Sequence, residues 1–324
     1  MEFGIQLVGN TPQEILDMAE LAEQVGLQNA WVPDHFASEP VGGGGLSTDQ
    51  PIWEAVAMLG AMAERTSTIE IGALVLCNLF RHPALTAQAM ATVDKISGGR
   101  AILGLGSGWT KAEFEMTGVP FPDIKPRLRQ LDESLTVIRS LWTKERTNFD
   151  GEFYQLREAF IPARPERQPC PPILLGGSGK GLLRIAARHA DLVNIIVDTG
   201  KAGTVLLSEV GKLAEEAFRR KVDFVRDEAS THDRDVRIST TGFVTVLTET
   251  EEQGDQMVAA VAAGFGLEPS IARRMPIALV GTAAQWVEEL QRREKEWGLS
   301  HMVLSGGMDR ATLEKFGREV LPHV

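Results

Sequence analysis

The 324-residue chain has only two cysteines, Cys77 and Cys170. That excludes a disulfide framework and a cysteine-based metal site. His189, His232, His301 and His323 lack the spacing of metal ligands. No apolar run approaches the roughly 18 residues of a membrane helix. Met1-Glu2-Phe3-Gly4-Ile5-Gln6 has neither the basic start nor the apolar stretch of a signal peptide. A soluble, cytoplasmic protein is therefore expected. Positive charge is also short: Lys and Arg total 33 against 44 Asp and Glu, a formal net charge of −11. Nucleic acid is thus not expected as a partner, and an anionic small ligand would need local cations. The only low-complexity segment is Gly42-Gly43-Gly44-Gly45, which reads as a lid or a plain flexible connection. Against these absences, 43% of residues are hydrophobic and 24% charged, enough for a sizeable core and too apolar for a disordered chain.

Strand-like and helix-like segments alternate throughout. Phe3 to Val8 is a short apolar run. Thr11-Pro12-Gln13-Glu14 then offers a cap, a first-turn proline and a glutamate three after the cap. Ile15, Leu16, Met18, Ala19, Leu21, Ala22 and Val25 recur at helical spacing up to Gly26. The same grammar predicts strands at 29–33, 69–76, 100–105, 172–175, 192–197, 236–247 and 301–305. Helices are predicted at 51–65, 83–96, 128–142, 180–189 and 203–228, with capping boxes at Thr250 and Thr282 opening two more. About eight strands, each followed by helix and lacking polar alternation, suggest a parallel sheet buried on both faces. A closed (β/α)8 barrel and an open doubly wound sheet both fit, and the count and spacing favour the barrel, a single domain over 1–324. Residues 109–127 and 143–171 are too long for ordinary connections and read as insertions at the rim.

In such a barrel, chemistry sits at the C-terminal ends of the strands. Asp34-His35 ends the second strand. A histidine exchanges protons near neutral pH and a carboxylate can orient it; a structural histidine bonded to backbone is the alternative. Gly176-Gly177-Ser178-Gly179 joins a strand to a helix, where free amides suit a phosphate, or simply a tight turn. It does not match the Walker pattern, and Gly104-x-Gly-x-Gly108 lacks the spacing of the dinucleotide fingerprint. Glycines there would let a flat ring lie against the backbone, with Trp109 as a pocket wall or ordinary packing. Arg81 and His82 can meet an anion or lie in a solvated loop. No Gly-x-Ser-x-Gly elbow with triad partners is evident.

Ser97-Gly98-Gly99-Arg100-Ala101-Ile102-Leu103-Gly104-Leu105-Gly106-Ser107-Gly108-Trp109 resembles the fourth-strand signature of the bacterial luciferase-like monooxygenase superfamily. Pro33-Asp34-His35-Phe36, Phe80-Arg81-His82-Pro83, Pro171-Pro172-Ile173-Leu174-Leu175-Gly176-Gly177 and Leu279-Val280-Gly281-Thr282 follow its pattern in order. The chain is most similar to the branch that uses the deazaflavin coenzyme F420. The resemblance implies a TIM barrel with F420, or alternatively FMN, at its C-terminal mouth. It implies a hydride exchanged with a small carbonyl, alkene, imine or alcohol, with His35 as proton donor or acceptor and Asp34 beside it. It places a bulge with a non-prolyl cis peptide at Leu74-Val75, with Ala73 to Cys77 lining the site. Ser107 and Gly108 would touch the cofactor, and Gly176, Gly177 and Ser178 its phosphate. Glu39, Trp53, Trp109, Arg81 and His82 are candidates for substrate contact. Sugar-phosphate and secondary-alcohol dehydrogenases of the branch have a tryptophan where this chain has Glu39 and a catalytic glutamate where it has Trp109. Those departures argue against both substrates and leave Glu39 or Glu113 to replace the proton-transfer partner. An FMN-dependent monooxygenase fed by a separate reductase and a cofactor-binding protein without chemistry are the rival readings. Relatives of this kind are often homodimers. The loops at 39–50, 109–127 and 143–171 are expected to select the substrate.

Overall fold

A computed structural model of the protein describes residues 1–38, 46–197 and 214–324. Glu39, the Gly42–Gly45 run and the predicted helical start at Gly203 lie outside the described residues. The first third of the chain forms β1 (Glu2–Gln6), α1 (Pro12–Val25), β2 (Asn29–Val32), α2 (Ala55–Arg65), β3 (Glu70–Ala73), β4 (Leu76–Cys77), α3 (Pro83–Ser97) and β5 (Ala101–Gly106). The middle holds α4 (Lys111–Thr117), α5 (Ile124–Thr143), β6 (Thr147–Asp150), β7 (Gln155–Ala159), β8 (Ile173–Gly176), α6 (Lys180–His189), β9 (Leu192–Asn194) and α7 (Glu215–Ser230). The last third adds β10 (Arg237–Gly242), β11 (Val244–Leu247), α8 (Glu251–Phe265), α9 (Pro269–Arg273), β12 (Ala278–Gly281), α10 (Ala283–Trp297), β13 (Leu299–Leu304) and α11 (Arg310–Glu319).

Eight parallel strands close in the order β1, β2, β3, β5, β8, β9, β10, β13, with β13 bonded back to β1. The (β/α)8 barrel is therefore present, and the open sheet is excluded. The third strand is split. β3 pairs with β5 through Ile71 and Gly72, and β4 rejoins β5 through Leu76 and Cys77. Between them the Leu74-Val75 peptide is cis.

The helix starts follow their caps. Thr11 accepts from the Glu14 amide, and the Thr250 and Thr282 capping boxes both form. The Glu14 carboxylate instead takes the Asn10 amide. The helix expected from Pro51 begins at Ala55, because the Glu54 carboxylate accepts the Ala57 amide and acts as the cap. The strand expected over 236–247 is two strands. β10 ends in the barrel wall at Gly242, while β11 leaves it and pairs in parallel with β12. The 143–171 insertion does not line the mouth, although its turn reaches Glu133 of α5 and His82. It forms the antiparallel pair β6–β7 and runs along the side of the barrel to its base, where Arg167 meets Glu70 and Asp94.

The barrel interior is filled by Trp31, Ile102, Leu174, Leu192 and Val303, a cluster that Leu74 and Val75 join from the third strand. Trp31 fits because β1 and β3 present glycines to it. A Cβ at Gly4 would lie 2.6 Å from its indole nitrogen, and one at Gly72 2.5 Å from its ring.

Below that layer runs a polar chain with fixed hydrogen-bond sense. Arg167 holds Glu70, and the Asn29 amide donates to Glu70 at 2.9 Å. The Asn29 oxygen is then left as the acceptor for His301 Nε2–H. His301 Nδ1 accepts from Ser239, which accepts from Asn194, which accepts from Thr241. His301 is fully buried and therefore neutral: burial, aided by the charge of Arg237, pushes its imidazole down from the usual 6.5 to about 3. Below pH 6.5 the unfolded chain binds a proton there that the folded chain refuses. Stability should thus fall as pH drops from 6.5 toward 3, with up to one proton's slope, about 1.4 kcal/mol per pH unit. Denaturant unfolding across that range should show the slope in the native protein and a flatter one in His301→Gln; equal slopes would contradict this account.

Candidate active site

A cavity of about 400 Å³ opens at the C-terminal end of the barrel. Its back wall is the broken third strand, through Leu74, Val75, Leu76 and Cys77. One side is the end of β5, Gly106, Ser107 and Gly108, and beside it the end of β8, Gly176, Gly177 and Ser178. His35, Trp109, Phe80 and Phe114 wall the opposite side. Of the sequence-nominated residues, His35, Asp34, Leu74, Val75, Cys77, Ser107, Gly108, Trp109, Gly176, Gly177 and Ser178 line this one cavity. Ala73 is buried just behind the wall. The Cys77 thiol is pushed by burial up to about 12, so no thiolate faces the cavity near neutral pH.

The bulge needs its neighbours to lack side chains. Val75 sits where a Cβ at Gly106 would come within 2.7 Å of it, and one at Gly176 within 2.9 Å. A Cβ at Gly104 would lie 1.9 Å from the Ala73 carbonyl oxygen.

Asp34 and His35 are adjacent in an extended segment, so their side chains diverge. The buried Asp34 carboxylate accepts both Arg81 terminal nitrogens, at 2.7 and 2.9 Å, and the Cys77 amide at 2.8 Å. It therefore ties β2 to the bulge and does not orient His35. The carboxylate that does is Glu113, from α4. Its Oε2 lies 2.7 Å from His35 Nδ1, and its Oε1 accepts the Phe36 and Ala37 amides. Trp109 packs edge-on against the imidazole, ring centroids 5.4 Å apart.

Besides Ala73, three nominated residues lie outside the cavity. Arg81 bridges Asp34 and Glu54. His82 caps α3 through the Ala84 amide and packs edge-on against Tyr154. Trp53 donates to the Gly9 carbonyl. No residue of 143–171 lines the cavity, because that insertion packs along the barrel side. The 109–127 insertion contributes Trp109, Glu113, Phe114, Phe121, Ile124 and Arg127.

Arg127 had no motif to announce it. It is buried, donates to the Gly108 carbonyl at 2.6 Å and stacks 4.0 Å over the Phe121 ring. Its Nε has no hydrogen-bond partner, and no carboxylate pairs with it among the described residues. Burial pulls its pKa below the ordinary arginine value. Among the described residues the Ser178 hydroxyl is likewise buried without a partner. Unpaired donors of this kind beside a glycine turn suit an anion. Among the described residues no group of His, Cys, Asp and Glu could hold a metal ion, and no helix is long and apolar enough to cross a membrane.

The family model for luciferase-like monooxygenases matches residues 2–304. The chain belongs to the luciferase-like monooxygenase family. Over 330 aligned residues it is 34% identical to an F420-dependent glucose-6-phosphate dehydrogenase of Amycolatopsis mediterranei (strain U-32), covering 96% of this chain and 94% of that one. Two solved structures share the fold of this luciferase-like chain, each with a TM-score of 0.78. One is an F420-dependent secondary alcohol dehydrogenase in complex with an F420–acetone adduct, 19% identical over 98% of both chains. The other is the coenzyme F420 dependent tetrahydromethanopterin reductase of Methanopyrus kandleri, 22% identical over 99% of both.

The Asp34–Arg81 pair is nearly closed to solvent, with side-chain exposures of 5% and 15%. Removing the cation leaves a buried charge unpaired, at a cost of about 3–5 kcal/mol. Arg81→Met should lower unfolding stability in denaturant by that order; a loss under about 1 kcal/mol would mean that Asp34 does not depend on it.

Proposed function

We infer that this protein is an F420-dependent oxidoreductase in which a hydride passes between the deazaflavin and a small carbonyl, alkene, imine or alcohol. His35 donates or accepts the accompanying proton. The observation that carries this reading is the single cavity in which an imidazole, a glycine-seated wall and two unpartnered anion donors converge. The names of the relatives supply the coenzyme.

The residues present fit such a group. A flat ring can lie against Leu74 and Val75, where Gly106 and Gly176 leave the backbone bare. The turn Gly176-Gly177-Ser178, the free Ser178 hydroxyl and Arg127 would hold its anionic tail. When bound, F420 supplies a two-electron hydride donor or acceptor. The protein's part is to bind, orient and dry the site. Trp109, Phe80 and Phe114 exclude water beside His35, and His35 holds or moves the proton at its ring nitrogen. The aligned relative is named for glucose-6-phosphate, whereas Trp109 stands beside His35 where the sugar-phosphate dehydrogenases of the branch carry a glutamate. We therefore read the substrate as different from a sugar phosphate. A separate reductase for the cofactor and a homodimeric assembly belong to the same reading.

Fluorescence titration tests it. F420 should bind and FMN should not, and Arg127→Met should weaken F420 about tenfold to a hundredfold, as expected for losing a charge-assisted contact. Once a substrate is found, His35→Ala should abolish turnover while leaving F420 bound. Binding of FMN alone, with oxygen-dependent product formation, would overturn the reading.

A further inference from the structure

We propose that Glu113 is a positioning residue that holds a proton on His35 Nδ1, so that Nε2 is the nitrogen that exchanges protons with the substrate. This rests on the reading of His35 given above. Glu113 stands in the first turn of α4, and its side chain is 1% exposed. A carboxylate can only accept hydrogen bonds. One oxygen receives the Phe36 and Ala37 amides, and the other lies 2.7 Å from Nδ1. That last contact is a hydrogen bond only if Nδ1 bears the hydrogen. The neutral ring is then the Nδ1–H tautomer, with its lone pair on Nε2, which has no hydrogen-bond partner among the described residues.

The charge needed for this is maintained locally. Burial disfavours ionised Glu113, but the hydrogen bond and charge of His35 and the two amides together hold its carboxyl below the ordinary value. The other titratable groups lining the cavity do not compete for Nδ1. Asp34 is bound by Arg81 and the Cys77 amide, the Cys77 thiol stays protonated, and Arg127 donates to the Gly108 carbonyl.

The proton balance closes in both directions. In reduction, the substrate carbon gains the hydride and its neighbouring atom takes the Nε2 proton of the imidazolium, leaving the neutral Nδ1–H ring. In oxidation, Nε2 takes the hydroxyl proton as the hydride leaves carbon, and the imidazolium that forms lies against the Glu113 carboxylate. The same two amides fix the loop that carries His35, so one side chain sets both the position and the tautomer of the ring.

The test is nitrogen-15 NMR of histidine-labelled, cofactor-free protein near pH 8, with His35 assigned by comparison with His35→Ala. The native protein should show His35 as Nδ1–H. In Glu113→Gln the amide oxygen can still accept from Phe36 and Ala37, but its NH2 faces Nδ1 and must donate, so the ring should switch to Nε2–H. A native ring found as Nε2–H overturns the proposal even if the variant does not fold, and an unswitched ring in a folded variant overturns it as well. Both spectra are taken without cofactor. Failure of F420 to bind would therefore count against the function and leave the tautomer assignment standing.

Discussion

The site depends on a steric constraint: the third barrel strand can break at Leu74-Val75 only because its neighbours have nothing there. Gly104, Gly106 and Gly176 come from two adjacent strands, and a single methyl group at any of them would collide with Ala73 or Val75. The break interrupts the pairing with β5 between Gly72 and Leu76, and the wall it creates is aliphatic and lies at the mouth. A regular strand would carry its side chains alternately inward and outward. At the bulge four consecutive residues, Leu74, Val75, Leu76 and Cys77, border the same cavity through backbone or side chain. Asp34 braces that geometry, because its carboxylate takes the amide of Cys77 in the resumed strand, while Arg81 neutralises it.

Charge in the mouth follows a division of labour. A protein with a net charge of −11 has no general attraction for an anion, so any affinity must be local. Among the described residues, both carboxylates that line the cavity are committed: Asp34 to Arg81, and Glu113 to two amides and His35. Neither repels an anion strongly, since each is compensated within hydrogen-bonding distance. Arg127 is placed in the opposite way. It is buried against Phe121 with no carboxylate among the described residues, so its charge remains available to the cavity.

Much of this was legible in the sequence, for identifiable reasons. Branched-aliphatic runs and capping boxes are local signals, and the eight-stranded barrel followed from them. Strand-end motifs marked most of the cavity, because glycines that seat a bulge leave a pattern. The split of the 236–247 strand was not legible. The apolar run continues through both halves, since β11 is also paired, and composition does not register a change of partner. Arg81, His82 and Trp53 illustrate another limit: residue type suggests a ligand, but only tertiary neighbours decide whether the side chain faces it. Arg81 finds two carboxylates first. Glu113 was visible only as a candidate, because its effect depends on α4 folding back over the end of β2, a contact across 78 positions.

The uncommitted polar groups then define a direction. Among the described residues, Ser178 Oγ and Arg127 Nε are buried atoms of cavity-lining side chains without a hydrogen-bond partner, and His35 Nε2 has none either. The imidazole nitrogen is at the β2 end, where the proposed function has it exchange protons. The other two stand near the ends of β5 and β8 and are donors of the kind that suits an anion. Between them the wall is mostly aliphatic and aromatic, with Ser107 and Cys77 also facing the cavity. A molecule that satisfies all three must bring one group to the imidazole and an anionic group to the guanidinium and hydroxyl. A compact anion could satisfy the far end but would leave the imidazole facing empty apolar space. A neutral apolar molecule would leave a buried guanidinium nitrogen and a hydroxyl unpaired, and each buried donor without a partner costs about 1–3 kcal/mol. The cavity therefore discriminates by the penalties it would impose on incomplete ligands as well as by the contacts it offers.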